Sequence, residues 1–445
     1  MKYLGVVVWK SGVVFDGAIS VQRYKSRNPV TKLCAFFCLC VFCLSCKAAF
    51  GQQNAKNIAR HPIPADRAYF AALNVQPRHT ASNKLSSSTN EMTKNQDLRI
   101  VSLPTFTRSF TFGGQVFPYT MVGKDPAKGG NTNIPTQYIP LSFFFDEFVD
   151  QNGNNIVIDS TVVNRPLAQS PLFNNFQYTT GFTQFEDAVM RAEFFPLFNK
   201  NGNNSEGSNN YHVLLGNPQT LIPVNPSFGP SVQIEVPVGS SEVFVDQDGT
   251  FFALIDIDFI SSQLNTLVQT EPISVEAIPM FIARNAVYFA NQNPKFCCIG
   301  GFHTAFEANR TNNKIFVQTF TFAAWLDSDV ADAIFGDPTI FADIMPISHE
   351  LGELLNDPFI NNITPNYQLP GFPPGACQNV LEVGDVVEET PNPSFPVTLN
   401  GFTYHPQTLG LLQWFEGITP SDAINGAYSF PGNNLTSPFM ACPTP

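Results

Sequence analysis

The stretch Pro346-Ile-Ser-His-Glu-Leu-Gly-Glu-Leu-Leu-Asn-Asp-Pro358 decides how this chain is read. Ile347, Leu351, Leu354 and Leu355 follow the i, i+4, i+7, i+8 spacing of an apolar helical stripe. His349 and Glu353 fall on the opposite side, one turn apart. Ser348 is placed to cap the start, although the capping box is incomplete because Leu351 stands where its Glu would be. At the other end Asn356 suits a left-handed terminal residue, and Pro358 turns Asp357 out of the helix. Asp357 is therefore expected just past the helix end, pointing back toward the same face. A His and a Glu one turn apart, with Glu350 beside the His, is the layout of a zinc-peptidase helix in which a carboxylate replaces the second His.

Such a site needs three protein ligands, an open position for water and a carboxylate to take the proton. His349 and Glu353 supply two ligands, and Glu350 is the candidate general base. The third ligand has several candidates: Asp357, then Glu382 and Asp385 from Leu381-Glu-Val-Gly-Asp385, then His303 and His405. Either of these last two His, or Tyr367 or Tyr404, would alternatively polarise a substrate carbonyl. Zinc is the expected cofactor. The Asp246-Gln-Asp-Gly249 fragment hints at calcium but lacks the distal Glu of a binding loop, so a plain turn is expected there.

Outward from this stretch, the 445 residues are 43% hydrophobic and only 13% charged, with 43 Phe, which favours strands and turns around a large core. Residues 1–51 differ from the rest: they hold seven Lys/Arg and one acid, and the apolar run Leu33–Cys46 leads to Ala49-Phe50-Gly51. This reads as a secretory signal. The run is too short for a span, and no other segment is apolar enough to make one. Cys46 admits a lipoprotein reading, with Cys43-Leu-Ser45 as a poor lipobox. The expected location is secreted, periplasmic or cell-envelope. Residues 52–99 read as a polar arm, 100–358 as an α+β domain ending in the His349 helix, and 359–445 as a loop-rich C-terminal subdomain.

Beyond residue 51 stand 17 Lys/Arg against 35 Asp/Glu, and none of the basic residues lies after Lys314. That imbalance excludes a nucleic-acid partner and favours a bound cation. Four Cys remain after the signal. The pairing Cys377–Cys442 is favoured, with Cys297 and Cys298 as a vicinal pair or as buried thiols.

Hairpin strands are expected at 102–111 and 115–121 around Gly113-Gly114, and further strands at 136–145, 156–163, 211–215, 231–237, 274–289, 296–306 and 315–325. Helices are expected at 183–195, capped by Thr183, and at 251–268. Residues 199–210 read as a polar loop, and 327–337 as an acidic turn. A β-rich lead-in followed by alternating helices and strands implies an α+β fold with a mixed twisted sheet.

The segment Ser348-His-Glu-Leu-Gly-Glu…Asp357-Pro358, with Cys377 and Glu382-Val-Gly-Asp385 after it, resembles secreted bacterial proteins that share a Ser-His-Glu-Leu-x-Glu…Asp-Pro motif. Tyr119-Thr-Met-Val-Gly123 and the run from Gln184 to Phe195 are similar to the same group. It resembles a divergent branch of the zincin metallopeptidases and, more distantly, plant phosphate-induced (exordium-type) secreted proteins. The resemblance spans roughly residues 100–445. It implies a zincin-like fold with a cleft, zinc on His349, Glu350 as base, and a peptide or protein substrate. Glu353 stands where a zincin has its second His. The longer metzincin motif has a Gly where Asn356 stands and a His or Asp where Phe359 stands. The alternative is a non-catalytic exported envelope or matrix protein of the same fold, with a structural or degenerate metal site.

Overall fold

The computed structural model describes residues 99–150, 152–198, 210–216, 231–246, 248–270, 273–310 and 314–442. The expected signal segment, the polar arm up to residue 98 and the loop at 199–209 lie outside the described residues. Among the described residues no helix is long and apolar enough to cross a membrane.

The chain is a mixed α+β structure, strand-rich, with few helices and a sheet curled into a half-barrel. In that seven-stranded sheet Arg99–Val101 and Ile278–Arg284 both run parallel to Lys314–Trp325, and Ile278–Arg284 is also parallel to Thr136–Val149. Val232–Val236 adds a parallel strand to Thr136–Val149, and Asn155–Ile158 an antiparallel one. Gly301–Arg310 pairs antiparallel with Lys314–Trp325. Central parallel strands are covered on both faces and therefore read as unbroken apolar runs. Ile278–Ala283 is such a run, with all six residues buried. At Asn285 the chain takes a φ of 48° and passes into a second, four-stranded sheet. The Asn285 side chain holds that corner: its Nδ2 donates to Asp327 Oδ2 at 2.9 Å, and its Oδ1 accepts from Asp327 N at 2.9 Å.

The two faces of the half-barrel have different partners. Side chains alternate across a strand. Phe281, Phe302, Phe320 and Phe322 therefore pack with the Ile257–Thr270 helix through Ile260, Leu264 and Val268. Met280, Ile282, Ala323 and Trp325 pack on the other face with Ile347, Leu351, Leu354 and Leu355. That second core also contains Leu381, Val383, Val386, Leu409, Trp414 and Phe430, so the chain after the helix contributes to the same core.

Several elements differ from the expectation. Residues 251–268 are not one helix: Phe251–Asp256 is a strand and Ile257–Thr270 the helix. The strand forms because Phe251–Asp256 finds partners on both edges, Ser241–Val245 and Ala286–Phe289. The strand expected over 156–163 ends at Ile158. Asp159 then accepts from Thr161 N at 2.9 Å and starts helical turns over Thr161–Ala168. The acidic turn after Asp327 contains the helix Ser328–Phe335, closed by Gly336 at a φ of 74°.

In Phe185–Glu193, Gln184 takes the cap position, and Thr183 instead donates to Asp187 Oδ2 at 2.6 Å. This helix is not half-solvated. All nine residues are buried, because Gln184 and Asp187 accept from Leu215 N and Val213 N along the strand Tyr211–Leu215. The Thr105–Phe112 and Gln115–Val122 hairpin forms as expected, with Gly113 and Gly114 both at positive φ.

Cys377 and Cys442 are bonded, with Cα atoms 5.9 Å apart, and Cys297 is bonded to Cys298. The Cys377–Cys442 bond closes a loop spanning 65 residues. Removing that constraint frees the unfolded chain. Replacing both residues by Ser is expected to lower unfolding stability by about 4 kcal/mol in the chain-entropy account, measured by denaturant titration under non-reducing conditions.

Candidate metal centre

The deciding helix spans Met345–Asn356 and starts four residues earlier than Ser348 as a cap would allow. Pro346 sits in its first turn, where a missing N–H costs nothing. Ser348 lies inside the helix. Its hydroxyl donates to Met345 O at 2.9 Å and accepts from Gln407 N at 2.9 Å. Asn356 stays helical, and its Nδ2 donates to Gly352 O at 2.9 Å, so the terminal residue is Asp357 rather than Asn356. All twelve helix residues are buried, including the face with His349, Glu350 and Glu353.

That face is covered by two elements far away in sequence. One is the edge strand Gly301–Arg310, whose residue His303 pairs in register with Thr321. The strand's alternation points Phe302 and Phe306 into the opposite core and leaves His303 facing the helix. The other is the segment from Leu381 into the short helix Asp385–Glu388.

His349 Nε2 lies 3.1 Å from Glu353 Oε1 and 3.5 Å from Asp385 Oδ1. His303 Nδ1 lies 3.4 Å from Glu353 Oε2 and 3.5 Å from Glu350 Oε2, and its Nε2 is 4.0 Å from Glu382 Oε2. Two sets of three could hold a metal ion: His349, Glu353 and Asp385, and His303, Glu353 and Glu382.

The tautomer of His349 follows from its partner. Gln407 Nε2 donates to Gly384 O at 2.9 Å, and a carbonyl can only accept. Gln407 Oε1 must therefore face His349 Nδ1, 2.7 Å away, and Nδ1 carries the proton. In a neutral ring this leaves the Nε2 lone pair aimed at Glu353 and Asp385. A metal-ligating His is oriented through its other nitrogen in this way. Glu353 Oε1 also accepts from the amides of Gly384 and Asp385 at 3.1 and 3.3 Å. Asp385 Oδ2 accepts from Gln378 Nε2 at 2.6 Å.

Gly384 fits flat against the imidazole, where a Cβ would stand 2.5 Å from His349 Nδ1. Gly301 does the same for Glu350, with a Cβ position 3.0 Å from its Cγ. Neither crowding involves positive φ; both are close approaches that a side chain would block.

Without a cation the pocket is electrostatically unsettled. Burial pushes the Glu350 carboxyl up to about 7, against the pull of His303 and His349. Burial raises Glu382 well above the usual carboxylate range and Asp385 as well, with Glu353 adding repulsion to both. Burial would also raise Glu353, but the two imidazoles beside it hold it far below the usual range. Burial disfavours a charge on either ring, yet the carboxylates around them raise both. Many polar atoms here are buried with no hydrogen-bond partner: both nitrogens of His303, His349 Nε2, and both oxygens of Glu350 and of Glu382. Buried polar atoms are ordinarily paired, and a cation supplies the missing partner.

The other expected residues lie elsewhere. Asp357 accepts from Asn361 N and Asn362 N at 2.9 and 3.1 Å and serves the turn after the helix. Burial pushes its carboxyl up to about 7. Asn362 ties that turn to Thr120, accepting from its N and donating to its O at 2.8 Å each. His405 Nδ1 faces Asp343 Oδ2 at 2.7 Å. Tyr404 donates to Pro166 O at 2.8 Å, and Tyr367 to Val380 O at 2.7 Å. Asp246 Oδ1 accepts from Asp248 N and Thr250 N, the hydrogen bonds of a plain turn.

Sequence reasoning overlooked Gln407, which orients His349. It also overlooked two buried acids near this pocket, Glu186 and Glu388, each raised mainly by burial and each feeling the His349 charge. Nothing local marks these residues; only the long-range packing reveals them.

No protein-family model, no curated protein and no solved structure matches this chain. Fold and site together define an α+β protein with a buried His–carboxylate pocket able to take a metal ion.

Two substitutions probe the orientation of His349. Gly384→Ala is expected to displace the ring, and Gln407→Leu to free its tautomer. Each should weaken divalent-metal binding about 10–100-fold, as disturbing such supports does elsewhere, read by competition with a chromophoric chelator.

Proposed function

We propose that this protein is an exported, metal-dependent hydrolase of a zincin-like kind, in which His349, Glu353 and Asp385 hold a divalent transition metal and Glu350 is the general base. The observation that carries this reading is His349 Nε2: its proton is held on Nδ1 by Gln407, and its bare side faces two carboxylates within 3.5 Å. Imidazole favours a transition metal such as zinc over calcium, which takes oxygen ligands. A bound metal of this kind supplies Lewis acidity that makes water a nucleophile near neutral pH.

Glu350 has the properties of the proton acceptor. It follows His349 directly, both its oxygens lack hydrogen-bond partners, and burial pushes its carboxyl up to about 7. A base works best when its pKa is near the working pH. Gly301 gives it room beside His303. Asp385 is the third ligand in this reading, and Asp357 is committed to its turn. A peptide or protein substrate rests on the zincin resemblance of Ser348–Pro358, and export rests on residues 1–51.

A second reading has its own support. Glu350, Glu353, Glu382, His303 and His349 are at most 2% exposed, and the Asp385 side chain reaches only 12%. A centre so enclosed is also suited to holding helix, edge strand and returning loop together as a structural metal site in a non-catalytic envelope or matrix protein.

Metal analysis and peptide hydrolysis separate the two. The expected outcome is bound zinc lost in His349→Ala, and a Glu350→Gln variant that keeps metal but loses at least 100-fold in peptide hydrolysis. Metal-free protein as isolated at neutral pH overturns both readings. Metal-loaded protein with no hydrolysis of a mixed peptide library, and with thermal stability lost on chelation, favours the structural one.

A further inference from the structure

We propose that the pocket holds two divalent cations bridged by Glu353, one between His349, Glu353 and Asp385 and the other between His303, Glu353 and Glu382. This deepens the metal-centre reading above and rests on it.

Geometry is the first argument. The two oxygens of Glu353 face different histidines: Oε1 toward His349 at 3.1 Å and Oε2 toward His303 at 3.4 Å. Within each three-residue set the ligand atoms lie within 4.8 Å of one another, and the two sets share only Glu353. Atoms bound to one cation at about 2.0–2.2 Å stand roughly 3–4 Å from each other. The His349 Nε2 separations of 3.1 and 3.5 Å fall in that range, and His303 Nδ1 stands 3.4 Å from Glu353 Oε2, long for a hydrogen bond. Two-metal hydrolytic sites hold their ions about 3.5–4 Å apart, a span that one carboxylate bridges.

The second argument is that a single cation leaves half the pocket unexplained. With a cation at His349, the orphaned atoms at the other end remain: both His303 nitrogens, both Glu382 oxygens and both Glu350 oxygens. His303 is 1% exposed and Glu382 2%, so water does not compensate them freely. A cation between His303, Glu353 and Glu382 gives one His303 nitrogen and the Glu382 carboxylate a partner.

Charge gives the third. Glu350, Glu353, Glu382 and Asp385 carry four negative charges when ionised. Among the described residues, their ion pairs are to His303 and His349 only. The chain has no Lys or Arg after Lys314 to neutralise them. Two divalent cations balance four carboxylates and leave both histidines neutral, as ligation requires.

Manganese(II) serves as the probe, added to the chelator-stripped full chain. The expected result is two Mn per chain by elemental analysis, with an exchange-coupled electron paramagnetic resonance spectrum. His303→Ala and the conservative Glu382→Gln should each bind one Mn per chain, with an uncoupled spectrum and an unchanged circular dichroism spectrum. His303→Ala and Glu382→Gln variants that still bind a coupled pair would overturn the assignment. One uncoupled Mn in the wild type, kept in His303→Ala and lost in His349→Ala, would overturn the pair while leaving the single-metal reading intact. No bound Mn, zinc or iron in the wild type would sink both.

Discussion

The carboxylate of Glu353 is the point on which the structure turns. It is reached from one side by His349 of its own helix, from another by His303 of the edge strand, and from a third by the amides of Gly384 and Asp385. Helix, sheet and returning segment meet at this single buried group. A carboxylate with 2% exposure is costly unless its charge is met. The chain therefore has to bring cationic or donor groups to it, and the geometry of everything nearby follows from that demand.

Burial distinguishes this centre from an exposed cluster of acids. Apolar side chains on the remaining helix face, Ile347, Leu351, Leu354 and Leu355, lock the helix to the half-barrel. The opposite face is then closed by Leu381–Glu388 and by Gln407. Polar residues enclosed this way act as a unit, because each unpaired atom raises the cost of its neighbours. The glycines are part of the same economy of space: at Gly301 and Gly384 a single methyl group would collide with a site side chain or its support.

Much of the candidate site could be read along the chain. His349, Glu350 and Glu353 share a helix at fixed spacing, and helical periodicity is local. Glu382 and Asp385 were legible only as alternatives, because what brings them to the helix is the fold after Pro358. His303 was the weaker reading. Its role depends on the parity of an edge strand relative to Phe302 and Phe306, and on which face of the sheet the helix covers. Asp357 shows the reverse: its position beside the helix is local, but its carboxylate turns to the amides of Asn361 and Asn362. The helix expected over 251–268 failed for the same reason in the fold at large. Apolar runs of that length suit helix or buried strand equally, and only the neighbours Ser241–Val245 and Ala286–Phe289 decide.

By itself the sequence determined the α+β character, the Gly113-Gly114 hairpin and the site helix, and it favoured the Cys377–Cys442 pairing that the structure contains. The first three rest on periodicity and turn chemistry, which act between near neighbours, and the last on a small number of cysteines. The tertiary structure alone decided that the helix is buried on every side, that Glu353 is shared between two histidines, and that Gln407 orients one of them. These depend on contacts between residues 31 to 58 positions apart or more. Their physical cause is the need to satisfy buried charge, which operates in space and leaves no period in the chain.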